Sequence, residues 1–160
     1  MNEKMDIKTC TMPSFSVIGK EGSTNDGANF VKNLWSEANA HFHEVMVFAK
    51  KNEQGNLLGI WGLMSNFNRD FGPWDDNFSK GLYLAGIQVE DDAIPPENWV
   101  KWTAPSFEYL YVKVDEYQKS FTGVLNYMKE KGYVLAGAVF DYNCPSENGQ
   151  LYLFFPVKRL

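Results

Sequence analysis

The sequence predicts an α+β fold made of two β-α-β-β units that are related by a pseudo-two-fold axis. Short blocks recur in the same order in both halves of the chain. Thr-Met-Pro-Ser-Phe at residues 11–15 returns as Thr-Ala-Pro-Ser-Phe at residues 103–107, and Leu-Tyr-Leu at residues 82–84 returns at residues 151–153. In both halves, an alternating apolar pattern typical of a strand precedes an apolar stripe with helical spacing.

The first repeat is predicted to cover residues 11–90. Its opening strand alternates Phe15 and Val17 with serines. The apolar stripe from Phe30 to Phe42 recurs every four residues, as one face of a helix does. The strands of this repeat are predicted at residues 14–20, 57–64 and 81–89.

The second repeat is predicted to cover residues 103–158, with shorter connections. Its helix carries an apolar stripe from Tyr117 to Met128, and Gly132 is a typical residue for the position that follows a helix. Between the repeats, residues 91–102 form a linker whose first part is acidic and contains prolines. The strands of the second repeat are predicted at residues 107–114, 134–142 and 150–157.

This plan gives a single domain over residues 1–160, with an antiparallel sheet and two main helices that cover one face of it. The other face of the sheet is left to form a concave surface along the pseudo-two-fold axis. Since pockets form preferentially at interfaces between structural units, we expect a central ligand groove on that face.

The composition excludes several classes of function. Fifteen Lys and Arg against twenty Asp and Glu give a net charge of −5, without the basic run that binding to nucleic acid or to an anionic membrane requires. Two cysteines cannot form a disulfide framework or a four-thiolate zinc site. Residues 1–10 lack the apolar core of a signal peptide, and no apolar run is long enough to span a membrane. We therefore expect a cytoplasmic protein.

Several enzyme and cofactor motifs are absent from the sequence: the nucleophile elbow, the phosphate-binding glycine loop and the dinucleotide fingerprint. The two histidines, His41 and His43, lie two positions apart on the predicted first helix and so would not share a face. No cysteine lies near them. The sequence therefore predicts no metal site and no cofactor, and it favours a binding protein over an enzyme.

Aromatic residues make up 16% of the chain and include five tryptophans, which is more than a core of this size requires. The polar loop at residues 66–80 carries four rings, among them Trp74, and a loop of this length is typical either of a binding lid or of a cover for the sheet edge. Other rings fall on predicted strands, where they either pack in the core or line a ligand cavity: Trp61, Tyr83, Tyr109 and Tyr111.

Asp141 is an acid in an otherwise apolar predicted strand, between Phe140 and Tyr142. It is either a strand-end residue that points into solvent or a desolvated carboxylate at the floor of an aromatic pocket. In the second case it would attract a flat cationic ligand, to whose binding each neighbouring ring adds roughly 0.5–2 kcal/mol.

Several short motifs follow one another in a familiar order: Met12-Pro13, Leu34-Trp35, Leu58-Gly59-Ile60, Tyr83-Leu84-Ala85-Gly86, Ile94-Pro95-Pro96 and Ala104-Pro105. In this order they resemble the GyrI-like effector-binding domains, which are the ligand-sensing domains of AraC- and MerR-type multidrug regulators and also occur as stand-alone proteins. The resemblance covers residues 11–158, nearly the whole chain.

The resemblance implies a duplicated fold whose central groove binds bulky, hydrophobic, often cationic compounds through aromatic residues around an acid. The acid of the family is usually Glu, in a Phe-Glu-x-Tyr-like stretch. Here the stretch is Phe-Asp-Tyr-Asn at residues 140–143, so that Asp141 replaces the glutamate and the tyrosine is displaced by one position. Tyr109 matches a tyrosine of the family's second repeat, and Trp61 and Tyr83 fall on strands that line the family's groove.

No helix-turn-helix precedes the first predicted strand, so the sequence predicts a ligand-sensing unit without direct nucleic-acid binding. We expect a stand-alone binding protein for bulky, flat, hydrophobic and also cationic compounds. Two alternatives remain open at this point. Asp141 could act as a general base in a hydrolase of reactive electrophiles, or the acidic turn at residues 90–92 could contact a protein partner. A homodimer is equally compatible with the sequence.

Overall fold

The computed structural model describes residues 5–160, and over this range the chain forms one eight-stranded sheet with two long helices. Residues 1–4, which belong to the segment without a predicted signal peptide, lie outside the described residues. The strands are β1 (Lys8–Met12), β2 (Phe15–Ser23), β3 (Ile60–Ser65), β4 (Leu82–Val89), β5 (Val100–Ala104), β6 (Phe107–Lys113), β7 (Phe140–Cys144) and β8 (Gln150–Arg159).

The long helices are α1 (Phe30–His41) and α3 (Tyr117–Lys131), and a single helical turn, α2 (Asp75–Phe78), lies between them in sequence. α3 ends as its sequence predicts, with Gly132 in the left-handed conformation at φ 80°. α1 ends at His41, and two 3-10 turns follow, at Phe42–Glu44 and Met46–Phe48.

The sheet is antiparallel throughout, in the order β1-β6-β8-β7-β3-β4-β2-β5. Its centre is the β7–β3 pair, and the same arrangement extends on either side of it: β6-β8-β7 with α3, and β3-β4-β2 with α1. The predicted α+β class, with an antiparallel sheet built from two β-α-β-β units, is confirmed. The residue boundaries of the repeats and of the linker stay predictions.

The two faces of the sheet are packed differently. Both long helices lie on one face: α3 covers Leu153 and Phe155, and α1 covers Tyr83 and Ala85. On the opposite face the sheet curls, so that residues from both of its ends join one aromatic core, from Phe107 and Tyr109 through Trp61 to Phe15 and Trp102. That face is therefore filled mainly by its own side chains.

The sheet has two more strands than the six predicted. β1 and β5 form its two edges, where β1 pairs with β6 and β5 pairs with β2. Each lies just before the first strand of one half in the sequence but pairs with the first strand of the other half. The end of the predicted linker, from Val100 onward, is therefore strand rather than connection.

One predicted strand is shorter than expected. The strand predicted at residues 134–142 begins only at Phe140 in the structure. Before it, the backbone N–H of Ala136 donates to Pro156 and that of Ala138 donates to Phe71, so that this stretch bonds to two different segments. The stretch therefore stays irregular, and it lies beside the loop at residues 66–80.

The repeat match at residues 82–84 and 151–153 is one residue out of structural register. Tyr83 lies on the helix-bearing face, whereas Tyr152 pairs with Tyr142 on the opposite face. A two-fold axis normal to the sheet keeps each residue on its face, so Tyr83 and Tyr152 are not structural equivalents. Successive strand residues alternate between faces, and an error of one residue in the alignment exchanges them.

None of the helices within residues 5–160 combines the length and the hydrophobicity needed to cross a lipid bilayer.

Candidate functional site

Asp141 lies on β7 with its side chain on the helix-bearing face of the sheet. Its neighbours across the ladder are Gly62 of β3 and Leu153 of β8, and Leu153 packs beneath α3. The residue is 9% exposed. Of the two alternatives left open by the sequence, the structure has the buried carboxylate rather than the solvent-facing one.

The sequence predicts a ligand groove on the face opposite the helices with Asp141 at its floor, whereas the structure has Asp141 on the helix-bearing face. Asp141 faces the gap between α1 and α3, while its neighbours Phe140 and Tyr142 contact the aromatic core on the other side. The physical reason is strand alternation: the acid and the two rings beside it in sequence cannot share one face of β7.

Two tyrosine hydroxyls donate hydrogen bonds to the Asp141 carboxylate. Tyr83 of β4 donates to Oδ2 at 2.8 Å, and Tyr117 at the start of α3 donates to Oδ1 at 3.1 Å. The indole Nε1–H of Trp35 on α1 donates in turn to the Tyr83 hydroxyl at 3.0 Å. The carboxylate is thus connected by side-chain hydrogen bonds to both long helices.

Gly62 provides the space for this arrangement. A Cβ atom at position 62 would overlap the hydroxyl of Tyr83 and would contact the Cβ of Asp141. Any larger residue here would displace the tyrosine from the carboxylate. Glycine in the middle of a central strand is otherwise unfavourable, and close packing of this kind is a common reason for finding it there.

Burial raises the pKa of Asp141 to about 6, and the hydrogen bonds from Tyr83 and Tyr117 limit the rise because they stabilise the charged form. Burial, with the nearby Asp141 carboxylate, also raises the pKa of both tyrosines above the ordinary value. The tyrosines therefore remain protonated donors at neutral pH, while the carboxylate is ionised.

The carboxylate lies at the wall of a cavity of about 590 Å³ between the two long helices. Asp141 is the one acidic or basic side chain among the described residues that line it. A single carboxylate with two phenol donors is not a set of metal ligands. Most of the other lining residues are apolar or aromatic and come from α1, β3, the 66–80 loop and α3: Val31, Met64, Trp74, Phe78, Phe121 and Leu125. Three uncharged polar residues also line the cavity: Asn77, Gln118 and Thr122.

The loop at residues 66–80 supplies one side of this cavity. Trp74 donates from its indole Nε1–H to the backbone carbonyl of Leu82 at 3.0 Å and stacks near Phe30 of α1. Phe78 packs edge-on against Phe121 of α3, with 5.2 Å between ring centroids. The loop thus connects to both helices, which agrees with a binding loop better than with a cover for the sheet edge.

Three of the six predicted binding residues come together at the cavity: Asp141, Tyr83 and Trp74. The structure does not bring Trp61, Tyr109 and Tyr111 to it, because they lie on the opposite face of the sheet. Trp61 donates to Gln88 at 3.0 Å in the buried core. Tyr109 is fully buried, and Tyr111 stacks on Phe154 at 5.1 Å between centroids.

Sequence reasoning missed Tyr117, Trp35 and Phe121. Tyr117 and Phe121 were assigned to the core-facing stripe of α3, since a helical stripe of rings does not distinguish a core from a cavity wall. The spacing of four between them was the available signal, because it places both rings on one helix face. Their stacking at 6.3 Å between centroids shows that they share it.

A second cavity, of about 760 Å³, lies where the end of β6 meets the β7–β8 connection. Its walls mix rings, such as Tyr111 and Tyr152, with charged residues of both signs, such as Lys113 and Glu147. The Tyr152 hydroxyl already donates to Glu147 at 2.8 Å. Although this cavity is larger, none of the charged side chains among its described lining residues is buried. We therefore regard the Asp141 cavity as the candidate site.

We expect the Asp141→Asn variant to gain stability relative to the wild type as the pH rises from 4 to 7. The folded-state pKa of about 6 lies above the value of 3.8 for an exposed aspartate. The wild type therefore has the full benefit of the neutral carboxyl below pH 3.8 and loses it as the pH rises through 6. The difference should reach roughly 3 kcal/mol in the free energy of unfolding, measured by urea denaturation.

Tyr117→Phe is the matched control for this experiment. It keeps the carboxyl but removes one donor to its charged form, so the loss of stability should extend to higher pH than in the wild type. Parallel pH profiles for the wild type and Asp141→Asn would contradict the burial of an ionisable carboxyl at this position.

Searches against family models and against curated proteins give no match to this chain. Solved structures, in contrast, are similar over nearly its full length. The structure of SAV2435 bound to tetraphenylphosphonium superposes with a TM-score of 0.65 at 15% identity, over 96% of this chain and 94% of that one. A crystal structure described as a putative bacterial transcription regulation protein, from Staphylococcus aureus MU50, gives 0.63 at 17% identity, over 97% and 99%.

The C-terminal domain of EcmrR also superposes, with a TM-score of 0.63 at 15% identity, over 98% of this chain and 99% of that one. At these identities the likeness is one of fold. It agrees with the fold implied by the resemblance to GyrI-like effector-binding domains. The chain therefore has the fold that these solved structures share.

Proposed function

We propose that this chain binds bulky aromatic cations in the cavity between α1 and α3, with Asp141 as the counter-charge. The observation that carries the proposal is a buried carboxylate that is the one acidic or basic side chain among the described residues of a largely apolar and aromatic cavity. An isolated buried charge is unfavourable, as the raised pKa of Asp141 indicates. A cation in the cavity would pair with that charge and bury its own apolar surface at the same time.

The size and the aromatic lining of the cavity favour a ligand with several rings. Its volume of about 590 Å³ is typical of sites for drug-sized molecules. Trp74, Phe78 and Phe121 offer aromatic surfaces from the loop and from α3. Such rings contribute both apolar contact and cation–π attraction to a ligand of positive charge.

The comparison with solved structures supports this assignment. SAV2435, which shares the fold, was determined with tetraphenylphosphonium bound. We extend the proposal to an effector-binding domain of the GyrI-like type with a cytoplasmic location. The first point rests on the sequence resemblance and the second on the composition of the chain, and both remain part of the proposal.

We expect tetraphenylphosphonium to bind the wild-type protein and Asp141→Asn to weaken this binding by about tenfold or more, since a lost charge pair of about 1.4 kcal/mol is a factor of ten. Tetraphenylborate is the matched probe, because it has nearly the same shape and the opposite charge. Its binding should be weak to the wild type and equal or tighter to Asp141→Asn. Calorimetric titration at pH 7.5 measures both.

Lowering the pH provides an independent control. If only the ionised carboxylate pairs with the phosphonium, the apparent affinity should fall about tenfold between pH 7.5 and pH 5, as the ionised fraction of a group with a pKa of about 6 falls. The Asp141→Asn variant should lack this dependence. An equal loss of both probes in the variant would remove Asp141 from its proposed role.

Substitution of single aromatic residues shows which of them contact the ligand. Trp74→Ala should weaken tetraphenylphosphonium binding severalfold, because Trp74 lines the Asp141 cavity. Tyr111→Ala, on the opposite face and partly exposed, is the control and should leave the affinity unchanged. If Tyr111→Ala weakens binding and Trp74→Ala does not, the ligand occupies the opposite face, where Trp61 and Tyr109 also lie.

The hydrolase alternative also has an observation in its favour. It requires an acid and a tyrosine within hydrogen-bond reach, and Asp141 has two such partners at 2.8 and 3.1 Å. A carboxyl with a pKa of about 6 is suited to act as a general base on water near neutral pH. Turnover of a reactive electrophile that is lost in Asp141→Asn, by product analysis, would favour the enzyme. Saturable binding without turnover would favour the binding protein.

A further inference from the structure

We propose that His41, His43 and Glu44 form a site for one Zn²⁺ ion at the C-terminal end of α1. The site is separate from the small-molecule cavity and does not depend on its assignment. The sequence predicts no metal site here, because two histidines two positions apart on a continuous helix point in different directions.

In the structure, the helix is not continuous from His41 to His43. α1 ends at His41, whose φ of −125° and ψ of 7° depart from helical values, and a 3-10 turn over Phe42–Glu44 follows. This change of helix type rotates the side chains after His41 relative to α1. As a result, one ring nitrogen of each histidine and a Glu44 carboxylate oxygen all lie within 4.8 Å of one another.

The separations suit a metal of this size. His41 Nδ1 lies 2.9 Å from Glu44 Oε2, and His43 Nε2 lies 4.0 Å from the same oxygen. Ligand bonds of about 2.0–2.2 Å in a tetrahedral site place the ligand atoms roughly 3.3–3.6 Å apart. The two observed distances lie on either side of this value. All three side chains are exposed, so small rotations can bring them to it.

The donor set selects the kind of ion. Imidazole nitrogens with one carboxylate suit zinc, copper and nickel, whereas calcium and magnesium prefer oxygen ligands throughout. Three protein ligands leave one tetrahedral position for water, as in open zinc sites. The position at the end of α1 adds to this preference, since the carboxyl end of a helix favours positive charge.

Glu44 is held in place from the inside of the protein. Its Oε1 accepts a hydrogen bond at 3.0 Å from the indole Nε1–H of Trp99, which leaves Oε2 directed toward the histidines. Trp99 is itself buried at 5% exposure and stacks near Phe42. A hydrogen-bonded ligand carboxylate is a regular feature of metal sites.

Calorimetric titration of the full chain, without an affinity tag, with Zn²⁺ at pH 7.5 tests the proposal. We expect saturable binding of one ion per chain. His43→Ala and Glu44→Gln should each weaken it by about tenfold or more, because each removes a ligand. Glu53→Gln is the control: Glu53 is an exposed acid outside the site, and its loss should leave the affinity unchanged.

A second measurement locates the ion. Cu²⁺ suits the same donor set and quenches tryptophan fluorescence at short range, and Trp99 is hydrogen-bonded to a proposed ligand. Quenching should be saturable in the wild type, largely absent in the His41→Ala, His43→Ala double variant, and much reduced in Trp99→Phe. A dissociation constant for Zn²⁺ weaker than about 1 mM, or affinity unchanged in the double variant, would overturn the proposal.

Discussion

The candidate site depends on the burial of the Asp141 carboxylate beneath two helices. Burial disfavours the charge, and the Tyr83 and Tyr117 hydroxyls compensate it in part through hydrogen bonds at 2.8 and 3.1 Å. Tyr117 belongs to α3, and Trp35 of α1 donates a hydrogen bond to Tyr83. Hydrogen bonds therefore connect the Asp141 carboxylate to both helices. The gap between the helices is therefore a defined cavity with a charge at its wall.

The two faces of the sheet differ in how completely side chains fill them. The curled sheet fills its opposite face with rings in tilted and edge-on contact, such as Trp61 with Phe140 at 6.3 Å between centroids. The helix-bearing face has smaller residues at its centre, where Gly62 and Ala85 lie beside each other across β3 and β4. Small residues at the centre of the sheet leave room for Tyr83 and for the cavity above it.

Several features were predictable because they depend on local pattern. The two long helices follow from apolar stripes, the end of α3 from Gly132, and the α+β class from the repeated order of patterns. Asp141 could be singled out because an acid in an apolar strand is uncommon. The edge strands β1 and β5 were missed, since each pairs only with a strand of the other half, and no local pattern indicates such long-range pairing.

By itself, the sequence determined which elements form and which residues carry unusual chemistry. Only the tertiary structure decided which of those residues meet. Trp61 and Asp141 were grouped by sequence, yet they lie on opposite faces of the sheet. The face on which a strand residue lies depends on the register of the strand, and a shift of one residue moves every side chain to the other face. His41 and His43 were separated by sequence, yet they converge, because α1 changes to a 3-10 turn between them. In both cases the direction of a side chain depends on backbone geometry, which residue spacing alone does not determine.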